Sequence, residues 1–222
     1  MALSAYELLV RSLPQLGEGL WATLRISFLT IVFSVAGGIG FGLLRTSRLF
    51  LPRLLSRAVL ELFRSVPILV WLFFFFFGLP ILFDIHLPAF ASALLVLSLW
   101  GMTEIGEIVR GALQSLPKGQ TEAAKSLGLS GRQLLVYVLV PQAVRRMVPP
   151  AINIFTRIVM TSSLTVLVGV PELIKSGQQI IERHYTLSYA SVVIYGLMAL
   201  MYFALCYPLS VFSRRLEKRW AD

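Results

Sequence analysis

Glu61, Arg64, Glu104, Glu107, Arg110 and Arg157 are ionisable side chains set within otherwise apolar runs of the sequence. A charge in hydrocarbon is costly, so each must be paired or must face water. Glu61 with Arg64, and Glu107 with Arg110, stand three residues apart. That spacing puts each pair on one helix face, where the two groups can neutralise each other as structural ion pairs. A place on a solute pathway is the open alternative for both. Glu104 lies one turn before Glu107 with the same sign, and Arg110 cannot easily serve both acids. Arg157 is the remaining candidate partner. An acid so placed either lines a water-filled path or takes up a proton; we expect Glu104 to face a translocation path.

Two further polar interruptions occur in apolar runs. In Phe63-Arg64-Ser65-Val66-Pro67 the proline frees a backbone carbonyl, which is tolerated where it lines a cavity or is covered by neighbours. In Met160-Thr161-Ser162-Ser163-Leu164 three adjacent hydroxyls can bond to the preceding helical turn or to a polar solute. Other chemistries lack their residues. There is no G-x-x-x-x-G-K-[ST] loop for nucleotide phosphates and no H-E-x-x-H pair for zinc. His86 and His184 fall in loops, so a buried Ser/His/Asp constellation has no histidine. Cys206 is the single cysteine, which excludes an intrachain disulfide.

The elements that must position these residues are membrane spans. Hydrophobic residues make up 57% of the 222 and charged ones only 14%, where a soluble domain carries roughly a quarter charged. Several windows of about 19 residues lack any charge, enough to cross about 30 Å of hydrocarbon. The expected fold is all-α: a polytopic bundle of about five transmembrane helices forming one transmembrane domain over residues 1–222. Spans are expected at about 20–44, 58–82, 89–111, 147–170 and 187–212. Residues 1–19 read as an interfacial segment kept short by Pro14, Gly17 and Gly19, with the first span acting as an uncleaved signal. Gly38 and Gly42 form a GxxxG pair suited to close helix packing. Polar loops are expected around Asp84 and His86, and around Lys175, Glu182, Arg183 and His184.

The net charge of +9 is distributed as an orientation signal. Thirteen of the 20 Lys and Arg residues fall in the loop after the first span, in the stretch between the third and fourth, and in the C-terminal tail. Arg11, Lys175 and Arg183 lie on the other side. The positive-inside rule then places the N-terminus outside and the C-terminus in the cytoplasm. Charge clustered in this way favours anionic lipid over nucleic acid.

The cytoplasmic stretch contains Glu122-Ala123-Ala124, then Gly128, then Val138-Leu139-Val140-Pro141. This spacing resembles the EAA signature of bacterial ABC-importer permeases. Further stretches (GEGLWATLRIS, ELFRSVPILV, EIVRGALQSLPKGQTEAAKSLG, PQAVRRMVPPAIN and SSLTVLVGVPEL) extend the resemblance over nearly the whole chain, to the branch handling polar amino acids and opines. The resemblance implies a type I importer permease in the bacterial inner membrane, not itself an enzyme. It implies a homodimer or heterodimer with a second permease, two cytoplasmic ATPases that bind ATP and Mg, and a periplasmic or extracellular solute-binding protein. Residues 117–131 would be the coupling loop, with Glu122, Ala123, Ala124 and Gly128 at the ATPase contact. Arg64, Ser65, Val66, Pro67, Glu104, Thr161, Ser162 and Ser163 are then candidate pathway residues, and the hydroxyls are favoured as solute contacts. Glu104 stands where the family often has an aromatic residue, and Met160-Thr161 where it often has Lys-Asp. An ion-coupled secondary transporter or channel is the competing reading.

Overall fold

A computed structural model describes residues 4–220. Among them there are helices and connecting turns and no strand. Eight helical elements follow in order: α1 Ala5–Arg45, α2 Phe50–Ser65, α3 Ile68–Phe83, α4 Ala89–Gln114, α5 Lys118–Ser126, α6 Gly131–Val168, α7 Leu173–Arg183 and α8 Ala190–Trp220. Helices α1, α4, α6 and α8 are each long and apolar enough to cross a membrane, and α2 with α3 makes a fifth if that bent pair counts as one span.

Helices α1 and α4 form the most extensive pair, and glycines let them approach. A Cβ on Gly42 would lie 2.6 Å from the Val109 Cβ and 2.7 Å from the Gly106 carbonyl oxygen. One on Gly38 would lie 2.6 Å from a methyl of Ile105. The GxxxG pair thus packs α1 onto α4, where any larger residue would force the backbones apart. Three apolar clusters complete the bundle. Leu8 and Leu16 of α1 meet Leu173, Ile180, Ile194 and Met198. Ile26, Leu72 and Val96 form a middle group. Phe63, Trp100, Ile105 and Ile158 form a third.

The structure corrects three expectations. Helix α1 continues through Pro14, Gly17 and Gly19, because Leu8 and Leu16 are buried under α7 and α8 and tertiary packing overrides weak propensity. The part of the 1–19 segment before Ser4 lies outside the described residues. The expected span over 58–82 is broken by a 102° bend between α2 and α3. Val66 takes an extended conformation there, as the residue before proline is driven to do. Finally, the polar loop around Lys175 is helix α7. Leu173, Gly177 and Ile180 recur along one buried face, and Glu172 caps the first turn through the Lys175 N–H at 2.9 Å.

Candidate translocation and coupling site

The break at Pro67 places Arg64 at the end of α2, facing α4. Arg64 does not pair with Glu61; its Nε donates to Glu104 Oε1 at 3.0 Å. Arg157 of α6 approaches the other Glu104 oxygen at 3.9 Å and lies over the Trp100 ring at 5.2 Å. Glu104 is only 13% exposed, while Arg64 and Arg157 are 40% and 55% exposed. One carboxylate therefore joins three helices that are separate in sequence, with the cationic side the more exposed. Such an arrangement can receive a carboxylate on the guanidinium groups or an ammonium on Glu104.

One turn further along α4, Glu107 holds Arg110 through two bonds of 2.8 and 2.5 Å. It also accepts a bond from Arg45 at the end of α1. Arg110 in turn donates to Gln114. The Glu107–Arg110 pair expected from spacing is thus one arm of a three-residue bridge, and Arg45 is the member that sequence reasoning missed. Local spacing finds partners three residues away; it cannot see one 62 residues away. Ser65, Val66 and Pro67 form the bend itself. Ser162 and Ser163 donate to the carbonyls of Val159 and Met160 at 2.8 and 2.7 Å, the bond to the preceding helical turn that such hydroxyls can make. Thr161 ends the α-helical part of α6 before the tighter turn begins.

The stretch between α4 and α6 is one short helix closed by a glycine turn. Helix α5 ends in a Schellman motif: Leu129 N–H bonds to the Ala124 carbonyl at 3.1 Å and Gly128 N–H to that of Lys125 at 2.9 Å. Gly128 has φ of +77°, a conformation that favours glycine. Ser130 and Gln133 then cap the start of α6 reciprocally. Within 117–131 one short helix forms, and the chain passes from this turn directly into α6. Ala124 is buried, while Glu122, Ala123 and Leu127 face outward. Arg146 of α6 donates to the Ser115 carbonyl at 2.5 Å and to its hydroxyl at 2.8 Å. Gln142 bonds to Gln120 at 3.4 Å. The short helix thus meets α6 through the Gln142–Gln120 bond, while Arg146 ties α6 to the end of α4 just before it.

Sequence reasoning also passed over Glu172, which is fully buried between α6 and α7. It accepts the Lys175 N–H and, at 3.0 Å, the Tyr202 hydroxyl of α8. Thr23 of α1 accepts from Leu173 N–H at 3.1 Å beside it. Burial raises the Glu172 pKa above the ordinary glutamate value, and the bonds it accepts from the Ile174 and Lys175 N–H groups and the Tyr202 hydroxyl oppose that shift. Among the described residues no three His, Cys, Asp or Glu side chains converge as a metal site.

Residues 21–222 match the family described as the inner membrane component of binding-protein-dependent transport systems. The chain belongs to this family. It is 40% identical over 204 residues to a probable glutamine ABC transporter permease of Bacillus subtilis, covering 92% of this chain and 93% of that one. A glutamine transport permease of Escherichia coli strain K12 is 35% identical, with 94% of each chain covered. Among solved structures, an amino acid ABC transporter superposes with a TM-score of 0.84 at 27% identity, over 97% of this chain and all of that one. An inward-facing methionine transporter shares the fold, with a TM-score of 0.70 at 22% identity over 91% of this chain and 96% of that one. The chain is thus the multi-pass permease of an ABC importer, a transport component and not an enzyme. The family works with an ATPase and a solute-binding protein. The secondary-transporter reading finds no support.

Proposed function

We propose that this permease moves an amino acid across the bacterial inner membrane by alternating access, glutamine being the first substrate to test. The N-terminus lies outside and the C-terminus in the cytoplasm. The permease pairs with a second copy or a sister chain and is driven by two ATPases that bind ATP and Mg. A periplasmic or extracellular binding protein delivers the solute. The observation that carries the coupling half of this reading is the outward face of α5. Glu122, Ala123 and Leu127 are exposed on a short helix that bonds to α6 through Gln120 and Gln142, and a large exposed leucine beside small residues suits a docking knob. Leu127 is 80% exposed. Closure of the ATPases would move α5 as a rigid handle and shift α6 relative to α4.

The bridge Arg64–Glu104–Arg157 supports the substrate half. An α-carboxylate would take the place of Glu104 on one of the two arginines, and the ammonium would then find Glu104. Ser65, Val66, Pro67, Thr161 and Ser163 flank this path, the Ser163 hydroxyl retaining lone pairs as an acceptor, while Ser162 is buried behind them. The decisive experiment reconstitutes the permease with its ATPase and binding protein in proteoliposomes and measures ATP-dependent uptake of glutamine. Glu122→Lys should assemble poorly or lose stimulated ATPase activity. Full stimulation in that variant would sink the lever, and uptake without ATP would sink the importer.

A further inference from the structure

At the arginine-rich end of the bundle α1, α2 and α4 enclose a cavity of about 570 Å³. Five arginines line it (Arg45, Arg53, Arg57, Arg64 and Arg110) against two acids, Glu61 and Glu107. Three of the five are engaged: Arg45 and Arg110 by Glu107, Arg64 by Glu104. Arg53 and Arg57 make no ion pair among the described residues, and they stand one turn apart on the same face of α2. The cavity therefore presents two uncommitted guanidinium groups within a strongly positive wall. Concave, positively lined surfaces concentrate anions from solution, and paired guanidiniums match the oxygens of carboxylate or phosphate.

The opposite face of α2 indicates from which side the occupant comes. Leu51, Leu55, Val59 and Leu62 form an exposed apolar stripe at spacings of four, four and three. Arg53, Arg57, Glu61 and Arg64 repeat that spacing two residues on, about 200° round the helix. The apolar stripe thus points away from the cavity. On the cavity side the apolar lining is limited to Phe50, Leu54 and Leu60 against five arginines and two acids, so the occupant held there is chiefly polar.

We infer that this cavity is a binding site for a water-soluble anion carrying a carboxylate or phosphate group, held by Arg53 and Arg57, two residues the Glu104 bridge does not use, although the two share the Arg64 wall. The site requires neither ATP nor transport to be seen, so its failure leaves the importer reading untouched. Glu61 lies between Arg57 and Arg64 on the same face. It repels a simple anion, and it attracts the ammonium of an amino acid whose carboxylate is on the arginines. Its effect tells the two ligand types apart.

The test titrates purified full-length permease with inorganic phosphate, and separately with L-glutamate, at constant ionic strength. Thermal unfolding is followed by tryptophan fluorescence, with chloride as control. Saturable stabilisation is expected in the millimolar range, weakened about tenfold or more in Arg53→Gln/Arg57→Gln, and partly restored by lysine at both positions. Stabilisation by phosphate alone, tightened by Glu61→Gln, assigns a phosphate ligand. Glutamate binding that Glu61→Gln weakens assigns an amino acid. A response no greater than that to chloride, or one equal in the double variant, overturns the site. Because Arg53 and Arg57 are exposed and unpaired, their loss leaves the bundle folded, which the unliganded unfolding midpoint checks.

Discussion

The bundle holds its carboxylates in two different ways at two levels. Near the arginine-rich end Glu104 and Glu107 are each held between two guanidinium groups drawn from α1, α2, α4 and α6. At the other level Glu172 has no cation within ion-pair distance among the described residues; it is fully enclosed and held by backbone N–H groups and the Tyr202 hydroxyl. Thr23 and Arg45 mark the two levels on α1, about 33 Å apart along the helix at 1.5 Å per residue. Pairs of full charges that touch water can exchange partners when a charged solute arrives. A carboxylate capped by dipoles in a closed site cannot, so it fixes α7 against α1 and α8. The first level is suited to traffic and the second to anchorage.

The largest expected effect comes from removing Glu107. Arg45 is only 10% exposed, and without its partner it becomes a nearly buried, uncompensated charge. Glu107→Ala should destabilise the permease by about 3 kcal/mol, as for other broken buried pairs. Glu104→Ala leaves two better-hydrated arginines, and screening reduces the expected loss to about 1 kcal/mol. Transport should instead fall sharply in Glu104→Ala, and partly in Glu104→Gln. Unfolding midpoints set beside uptake rates check the comparison. Equal stability losses at the two glutamates would show that the level does not divide into structural and solute-exchanging halves.

Second in size is the seam that carries both glutamates. Gly42→Ala places a methyl group 2.6 Å from the Val109 Cβ and against the Gly106 carbonyl. Neither atom is the flexible end of a side chain, so α1 and α4 must separate. About 1–3 kcal/mol of overpacking is expected, and the Arg45–Glu107 bridge should loosen with it. Gly40→Ala, where a Cβ meets nothing within 4 Å, is the control and should be neutral or slightly stabilising.

That seam was legible in the sequence, and it shows which features were. Gly38 and Gly42 carry their spacing within one helix, as do the apolar spans and the glycine turn after α5. Arg64 was misjudged because its nearest acid in sequence, Glu61, is not its nearest in space; the bend at Pro67 turns it towards Glu104. Hydropathy averages over about 19 residues and cannot register such a bend. The same averaging hid α7, whose polar outer face masks a buried stripe. Glu172 went unnoticed because it stands at the edge of what reads as a polar loop, and only the packing of Tyr202 and Thr23 makes it a closed site.

The anchor can be tested by its response to acid. The native Glu172 pKa is raised by burial, so the folded protein binds more protons than the unfolded chain between the ordinary glutamate value and the raised one. Stability from this group is therefore full below the unfolded value and declines as pH rises through the native one. Glu172→Gln supplies a neutral acceptor of the same shape and should flatten that decline while keeping α7 docked. Hydrogen exchange of the α7 amides from pH 5 to pH 8 reads the effect directly. A steeper pH dependence in the glutamine variant would mean that the ionised form is the one the fold prefers, against the proposed anchoring.

The smallest expected effect separates the two uses of hydroxyls. Ser163 bonds to the Met160 carbonyl, which also belongs to the helical ladder, so Ser163→Ala should change stability by no more than about 0.5–1 kcal/mol. Ser163 also lines a small cavity with Met160, Ile174 and Tyr202, close to the residues that hold the anchor. If its oxygen accepts a hydrogen bond from the passing solute, Ser163→Ala should raise the KM for uptake severalfold at unchanged maximal rate, while Ser163→Thr preserves it. An unchanged KM in both variants would confine this serine to the backbone and move the solute path towards Glu104 and the two arginines on either side of it.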